Sequence, residues 1–453
     1  MSRRLPVATL LALLTVGGAE AQSRSVLTLD EALGRARDFN PDYRMAQNEL
    51  DLSQTGRREA LGAFLPNLTL SASTGMSFDR QRVSQDFFGN PIENPVTEWQ
   101  TSSSASQSLF ASITLFEGGR RFYQLSAQGA DAEVREATAA GQLRTIRGQV
   151  VRVYHQAQAQ QARLGVEEGL LEARHLDLEM TQRMYELAGA TRVQVLAAEL
   201  NVQRQEQRIQ QTLAGLEQSL LSLRTAIGDP SLEGFELSDV APVPFDPALL
   251  ELEGLVERAL LSSPVMHQQV AQVDRSVAQA RAARGSRWPT LSMSFGLNQR
   301  TFAQDREALF DMYPDQARYG STSFSLSIPV FSRFQTSARI AEAQVGMDNA
   351  RETLRRTRLQ VEEAVRSRFI SLQTAYQGYE IALRSQEIAE ERLRLARDQF
   401  RLGSRTFSEF QRDIDDAANA EREVINQLFG FAEARANLEE TVGELGSGSE
   451  GGN

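Results

Sequence analysis

The chain has no cysteine and no lysine: all 48 of its basic side chains are arginine. Without cysteine there is no disulfide, no thiolate nucleophile, no zinc–thiolate site and no lipidated N-terminal cysteine. Without lysine there is no Walker-type phosphate loop and no Schiff base. His155, His175 and His267 stand alone, with no neighbour at metal-ligand spacing, so no metal and no other cofactor is expected. There is no basic run and the formal charge is −11, which argues against nucleic acid as a partner. Proline is missing from two long stretches, between Pro95 and Pro230 and after Pro329. Gaps of that size between helix breakers point to very long helices rather than to several compact domains.

What is present begins with an address. Arg3 and Arg4 precede an apolar run from Leu5 to Val16, and Ala19-Glu20-Ala21 fits a small-x-small cleavage site. The run, about a dozen residues, is too short to span a bilayer. Residues 1–21 are therefore expected to be a signal peptide; they carry a net +1, so their loss takes the charge from −11 to −12.

The rest is a tandem duplication. LTLDEALGRARDFNP from Leu27 becomes LELEGLVERALLSSP from Leu250, and Pro41 and Pro66 face Pro264 and Pro289 at one offset of 223. SITLF (Ser112 to Phe116) matches SIPVF (Ser327 to Phe331) at an offset of 215. That second offset pairs Ile146 with Val361, Tyr154 with Phe369, Tyr185 with Phe400, Thr191 with Thr406 and Gly228 with Gly443. Residues 22–228 form the first copy, 229–249 a proline-rich extended linker, 250–443 the second copy and 444–453 a flexible tail.

Each copy reads as an opening helix, two strands, a long helix and a return helix. The strands alternate: Leu68, Leu70, Ala72 and Met76 point one way, and Asn67, Thr69, Ser71, Ser73 and Gly75 the other. In the second copy Leu291, Met293, Phe295 and Leu297 oppose Ser292, Ser294, Gly296 and Asn298. One apolar face against one small, polar face over roughly ten residues is the pattern of a transmembrane β-strand, though an antiparallel sheet on a soluble core shares it. The long helices run from about Arg120 to Ala188 and from about Gln335 to Leu402, on the order of 100 Å each at ~1.5 Å per residue. Leu354, Val361, Val365, Phe369, Leu372, Tyr376, Tyr379 and Leu383 make a coiled-coil-like seam on the second. Each long helix is read as ending at a glycine, Gly189 or Gly403. Trp99 and Trp288 border strands and suit an interfacial belt or plain packing. Aromatics in the loops 77–100 and 300–318 are placed at the outer mouth.

Four strands cannot close a barrel, which needs at least about eight, and an open edge in lipid leaves backbone groups unsatisfied at several kcal/mol each. The chain must oligomerise to stand in a membrane, and long helices then extend the pore. The competing class is a soluble periplasmic coiled-coil adaptor or scaffold, which explains the helices but not the strands. No enzyme constellation is present.

The duplicated order, the strand ends ITLFEGG and IPVF, and the turn segments YELAGATRVQVLAA and FRLGSRTFSEFQRD together resemble the TolC-like family of outer-membrane efflux and secretion channels, over nearly the whole span from Leu27 to Gly443. The resemblance implies an α+β membrane fold: a homotrimer with a twelve-stranded β-barrel in outer-membrane lipid and an α-helical coiled-coil barrel in the periplasm. It also implies a passive conduit for small molecules or secreted polypeptides. Its partners would be an inner-membrane pump or ABC transporter and a periplasmic adaptor touching the tip turns at Gly189, Ala190, Gly403 and Ser404. The family gate maps onto Gly403, Arg405 and Thr406, with Glu409 in the place of an acid that narrows the aperture. The chain departs from the family at Arg412, where a second acid stands, at Phe400, where a tyrosine stands, and at Gln194, where the arginine has an acidic partner.

From the residues themselves, Glu409, Asp413 and Asp416 fall at i, i+4 and i+7 on one helix face, whereas the first copy has Gln194, Ala198 and Asn201 there. Three subunits would set nine carboxylates around an aperture, and such rings select cations. The alternative is an ordinary solvated helix face.

Overall fold

The apolar pattern from Leu27 reads as one opening helix, but the chain forms two, α1 (Leu29–Phe39) and α2 (Pro41–Gly62). Pro41 takes the first turn of α2, where its missing N–H costs nothing, and the Asn40 side chain accepts from the amides of Asp42 and Tyr43 at 2.9 and 3.2 Å. The proline therefore starts a helix rather than ending one. This computed structural model describes residues 26–79, 86–91, 99–232, 234–303, 318–443 and 445. The signal-peptide segment, most of the tail and parts of both outer loops lie outside them.

After α2 come β2 (Asn67–Asp79), β3 (Gln100–Phe116), the long helix α3 (Arg120–Glu186) and the return helix α4 (Arg192–Ile227), β1 being the short strand Val26–Leu27. The linker holds β4 (Glu236–Leu237) and a single 3₁₀ turn at Pro247–Leu249. The second series is α5 (Leu252–Ser262), α6 (Pro264–Gly285), β5 (Thr290–Ala303), β6 (Arg318–Ser327), α7 (Gln335–Arg401) and α8 (Phe407–Val442). The helices of the two series agree residue for residue in length: 11, 22, 67 and 36. Among the described residues no helix is long and apolar enough to cross a membrane.

Two compact units share these elements. The first comprises residues up to 39, 150–243 and 386–429. In it β1 pairs parallel with β4, so the start of the described chain is tied to the linker. Side chains of α3 hold that tie: the Tyr154 hydroxyl donates to Leu27 O at 3.0 Å, and the Gln158 amide donates to Ser238 O at 2.8 Å and Val240 O at 3.1 Å. Arg35 adds an ion pair at 2.7 Å to Asp229, whose carboxyl is held below its usual range by the Ser231 hydroxyl and amide and by Arg35. The Ala/Gln-rich stretch of α3 is thus a docking strip for extended backbone, which needs amide donors more than bulk.

The second unit comprises residues 40–149, 244–385 and 430 onward. Its core sets Val361, Val365, Phe369 and Leu372 of the α7 seam against Leu255, Val256 and Ala259 of α5 and Phe431, Leu438 and Val442 of α8. Fully burying each such side chain contributes about 1.5–3 kcal/mol, so the seam anchors the unit.

This unit also carries an antiparallel sheet in the order β2-β3-β5-β6. Its register sorts the faces with few exceptions, such as Phe110 on the polar face and Gln107 and Gln299 on the other. Leu70, Leu109 and Leu297 share one row, and Met293 and Phe324 another, on the apolar face. Asn67, Ser112, Ser294 and Ser323 share a row on the opposite face, where Ser71–Ser108, Ser73–Ser106 and Ser294–Ser323 join hydroxyls at 2.6, 2.7 and 2.7 Å. Leu70 is 76 % exposed and Phe324 66 %, so the apolar face has no protein core beneath it. That decides against a sheet packed on a soluble core. Trp99 and Trp288, beside β3 and β5, are exposed as well.

Candidate functional site

The gate candidates sit where α3 turns into α4 and where α7 turns into α8. In the second copy the turn closes on Gly403 at φ +72, with Gly403 N donating to Phe400 O and Ser404 N to Gln399 O, both at 3.0 Å. This is a glycine cap of the expected kind. In the first copy the left-handed residue is Ala188 at φ +57, and Gly189 lies beyond it, donating to Met184 O at 2.7 Å. The expected glycine end of the first long helix is therefore corrected: Ala188, opposite Gly403 by the offset of 215, is the left-handed residue, and Gly189 stands opposite Ser404. An alanine held left-handed costs about 1–2 kcal/mol. Ala188→Gly is expected to stabilise the turn by up to about 1 kcal/mol after glycine's entropy cost, read as slower hydrogen exchange at residues 187–190.

Both return helices open with the same capping box. Thr191 N donates to Gln194 Oε1 at 2.7 Å, and Gln194 N to Thr191 Oγ1 at 3.4 Å. Thr406 N donates to Glu409 Oε2 at 3.0 Å, the Thr406 hydroxyl donates to the same oxygen at 2.7 Å, and Glu409 N donates back to Thr406 Oγ1 at 3.4 Å. The Thr406 hydroxyl and amide hold the Glu409 carboxyl below its ordinary range. Gln194, Thr406 and Glu409 are thus committed to starting helices, and Thr-x-x-Glu/Gln is a signal the sequence carries openly.

Asp413 departs furthest from expectation. The three acids of the stripe do share a face of α8, but Asp413 is only 1 % exposed and does not stand free for a ring. Arg392 of α7 reaches Asp413 at 2.7 Å and Asp416 at 3.2 Å, while Arg405 reaches Asp413 at 2.5 Å. The free-carboxylate reading of the stripe is corrected here: two arginines of the same chain neutralise Asp413, because a buried carboxylate persists only when paired. Arg405 also donates to Gln399 at 3.1 Å, so it braces the turn against α7 and α8 at once. Arg392 was not legible as a site residue, since nothing local marks it.

Beneath the turn lies a small apolar core of Leu170, Ala396, Phe400, Phe410, Ile414 and Ala418. Phe400 and Phe410 stack with centroids 4.8 Å apart and planes 10° from parallel. One level further along α8, Glu167 of α3 accepts from Gln205 of α4 at 2.6 Å and from Arg422 at 2.7 Å. Burial alone would raise its pKa; the bonds from Arg422 and Gln205 outweigh it, and the carboxyl lies below its ordinary range.

The profile of the outer membrane efflux protein family matches residues 32–229 and 255–444. The chain belongs to that family. It is an outer-membrane protein of channel type. The cobalt-zinc-cadmium resistance protein CzcC of Cupriavidus metallidurans is 22 % identical over 319 residues, covering 67 % of this chain and 72 % of that one. The outer-membrane channel OprN superposes with a TM-score of 0.74 at 18 % identity, over 92 % of this chain and 89 % of the other. VceC of Vibrio cholerae gives 0.74 at 16 %, over 92 % and 96 %.

Within the efflux protein family fold, the chain's own variations gain a physical sense. Phe400, where the resemblance led to the expectation of a tyrosine, is 5 % exposed and faces Phe410, so a hydroxyl there would be buried against a ring. Leu187 and Leu402, equivalent by the offset of 215, are each 84 % exposed at the two turns, beside Gly189, Ala190, Gly403 and Ser404.

Proposed function

We propose that three copies of this chain form a passive conduit that carries small solutes out through the outer membrane. The flow is gated at the α3–α4 and α7–α8 turns and fed by an inner-membrane pump through a periplasmic adaptor. The observation that carries this reading is the four-stranded sheet with an unpartnered apolar face, whose edge strands β2 and β6 each have one neighbour among the described residues. Three such sheets make twelve strands, enough to close, and closure satisfies both edges. Helix α7 supports it: Val345, Leu359, Ile370 and Ile381 in the second unit, and Ile388 and Leu395 in the first, are exposed and fall on one helix face. A second copy is the occupant that such a seam fits.

The duplication makes the closure specific. Within the chain β3 pairs with β5, Ser112 opposite Ser294. Carrying that register across by the offsets of 215 and 223 sets Ser327 opposite Ser71 of the partner subunit. Ser325 then faces Ser73 of the partner subunit, and Ile328 faces Leu70 of the partner subunit. At these three positions serine meets serine and an aliphatic residue meets an aliphatic one. The exposed leucines at the turns, Leu187 and Leu402, supply matched anchors for an adaptor hairpin. Divalent metal ions are the first cargo to try, because the relative from Cupriavidus metallidurans is named for cobalt, zinc and cadmium resistance.

The cysteine-free chain gives a clean test. Opposed strand residues lie ~4.5–5.5 Å apart at Cα, within disulfide reach. Ser325→Cys with Ser73→Cys should yield covalent trimers from outer membranes upon oxidation, and Ser323→Cys with Ser73→Cys should not. Purified protein should conduct in planar bilayers. A monomer without conductance, or cross-linking in the shifted pair alone, overturns the reading.

A further inference from the structure

One buried acid in the first unit has no part in the turn geometry. Asp177 of α3 is 7 % exposed, and its Oδ2 has no hydrogen-bond partner among the described residues. One turn earlier Arg174, 5 % exposed, gives both terminal nitrogens to α8, one to Gln411 and one to Asp415. Gln411, 9 % exposed, also accepts from Asn201 of α4 at 3.0 Å, and its side chain bonds Asp177. The rung thus joins α3, α4 and α8, and Arg397 of α7 adds its charge. The charged groups facing Asp177 are Arg174 and Arg397; the Asp415 carboxylate is taken up by Arg174.

We propose that Asp177 is a proton-operated tie between α3 and α8, holding α8 in place when neutral and loosening it when ionised. A neutral carboxyl leaves no charge to solvate and can turn its O–H to an acceptor. An ionised one leaves Oδ2 buried and without a donor, which is costly in an interior. Movement of the first turns of α8 away from α3 must break both Arg174 bonds and the Gln411 bridge, so the rung lies in the path of opening. Burial pushes the Asp177 carboxyl up to about 6, against the pull of Arg174, of the Gln411 bond and of Arg397. The folded value lies above the ordinary 3.8. The folded state therefore binds the proton better, and the tie tightens as pH falls through about 6 and slackens as it rises. Neutral and mildly alkaline conditions favour opening; mild acid favours closure.

This inference rests on the gated-channel reading, and its test separates the two. Spin labels on cysteines at the exposed positions 172 of α3 and 412 of α8 report the α3–α8 separation in the full-length protein. Between about pH 7.5 and pH 5 the distance distribution should narrow with a midpoint near 6, the protonated-to-ionised ratio changing tenfold per pH unit. Asp177→Asn should hold the acid-like distribution throughout, and conductance should fall severalfold toward acid in the parent but not in the variant. A parent distribution that ignores pH, or an Asn variant that keeps the parent's pH response, overturns the tie. A label response without conductance leaves the tie standing and sinks the channel reading. The parent's own midpoint decides the matter if the variant fails to fold.

Discussion

Gly118→Ala is expected to remove the protein from the outer membrane. Gly118 leaves β3 at φ +65, and a Cβ there would stand 2.5 Å from Gly285 O and 2.7 Å from Trp288 Cβ. Both separations are shorter than any real contact of that kind, and the first is to backbone, which cannot swing aside. The turn out of the hairpin is therefore seated directly on the end of α6. A left-handed alanine costs about 1–2 kcal/mol and overpacking about 1–3 more, so the total reaches roughly 3 kcal/mol or above. The neighbouring glycine separates the two contributions. Gly119, at φ +78, has only Tyr123 Cε2 near its missing Cβ, at 3.5 Å, so Gly119→Ala carries the backbone cost alone. The second copy shows that this backbone tolerates side chains where room exists: Arg333 and Phe334, equivalent by the offset of 215, stand at φ +51 and +66. The check is the amount of protein in purified outer membranes. Near-normal Gly119→Ala with depleted Gly118→Ala is the expected pair, and equal levels would refute the steric account.

That contrast also marks what the sequence could and could not disclose. The long helices were legible to within about two residues because no proline interrupts either of them and each stops just short of a glycine at its turn. The strands were legible because lipid on one face and small polar groups on the other force a period of two. Boundaries went astray where a residue had two uses. Pro41 and Pro264 each start a second helix at its first turn, where proline is tolerated, so the single opening helix expected in each copy is in fact two. The tip turn misled for a similar reason, since Gly189 advertises a cap that Ala188 performs under strain. The stripe of Glu409, Asp413 and Asp416 was correctly placed on one face, yet periodicity says nothing of what lies opposite. Arg392 stands 21 residues from Asp413, and only the pairing of α7 with α8 brings them together. The rung of Arg174, Asp177 and Gln411 joins residues more than 200 positions apart in sequence, beyond any local signal.

Phe410→Ala is the substitution expected to cost the α7–α8 turn most. Phe410 is fully buried, stacked on Phe400 at 4.8 Å and enclosed by Leu170, Ala396, Ile414 and Ala418. Truncation removes the ring and leaves a cavity that helices fixed by the Arg392–Asp413 and Arg405–Asp413 pairs cannot collapse to fill, so about 3–5 kcal/mol is lost. The loss should be local. Gln411 and Asp413 follow Phe410 on α8, so loosening of the ring unseats the Arg174 bridge and the paired carboxylate together, while the sheet in the second unit keeps its register. Limited proteolysis at the α7–α8 turn should accelerate by a hundredfold or more if opening governs cleavage, since each ~1.4 kcal/mol is a factor of ten. The Ser325→Cys and Ser73→Cys cross-link should persist in the same protein. Phe410→Leu, which keeps most of the volume, should recover most of the resistance. Phe400→Tyr should weaken the turn slightly, because Phe400 is 5 % exposed and its ring is stacked on Phe410, so an added hydroxyl would be buried beside a ring. This chain holds its turn with a stacked aromatic pair, and proteolysis unchanged by Phe410→Ala would refute that assignment.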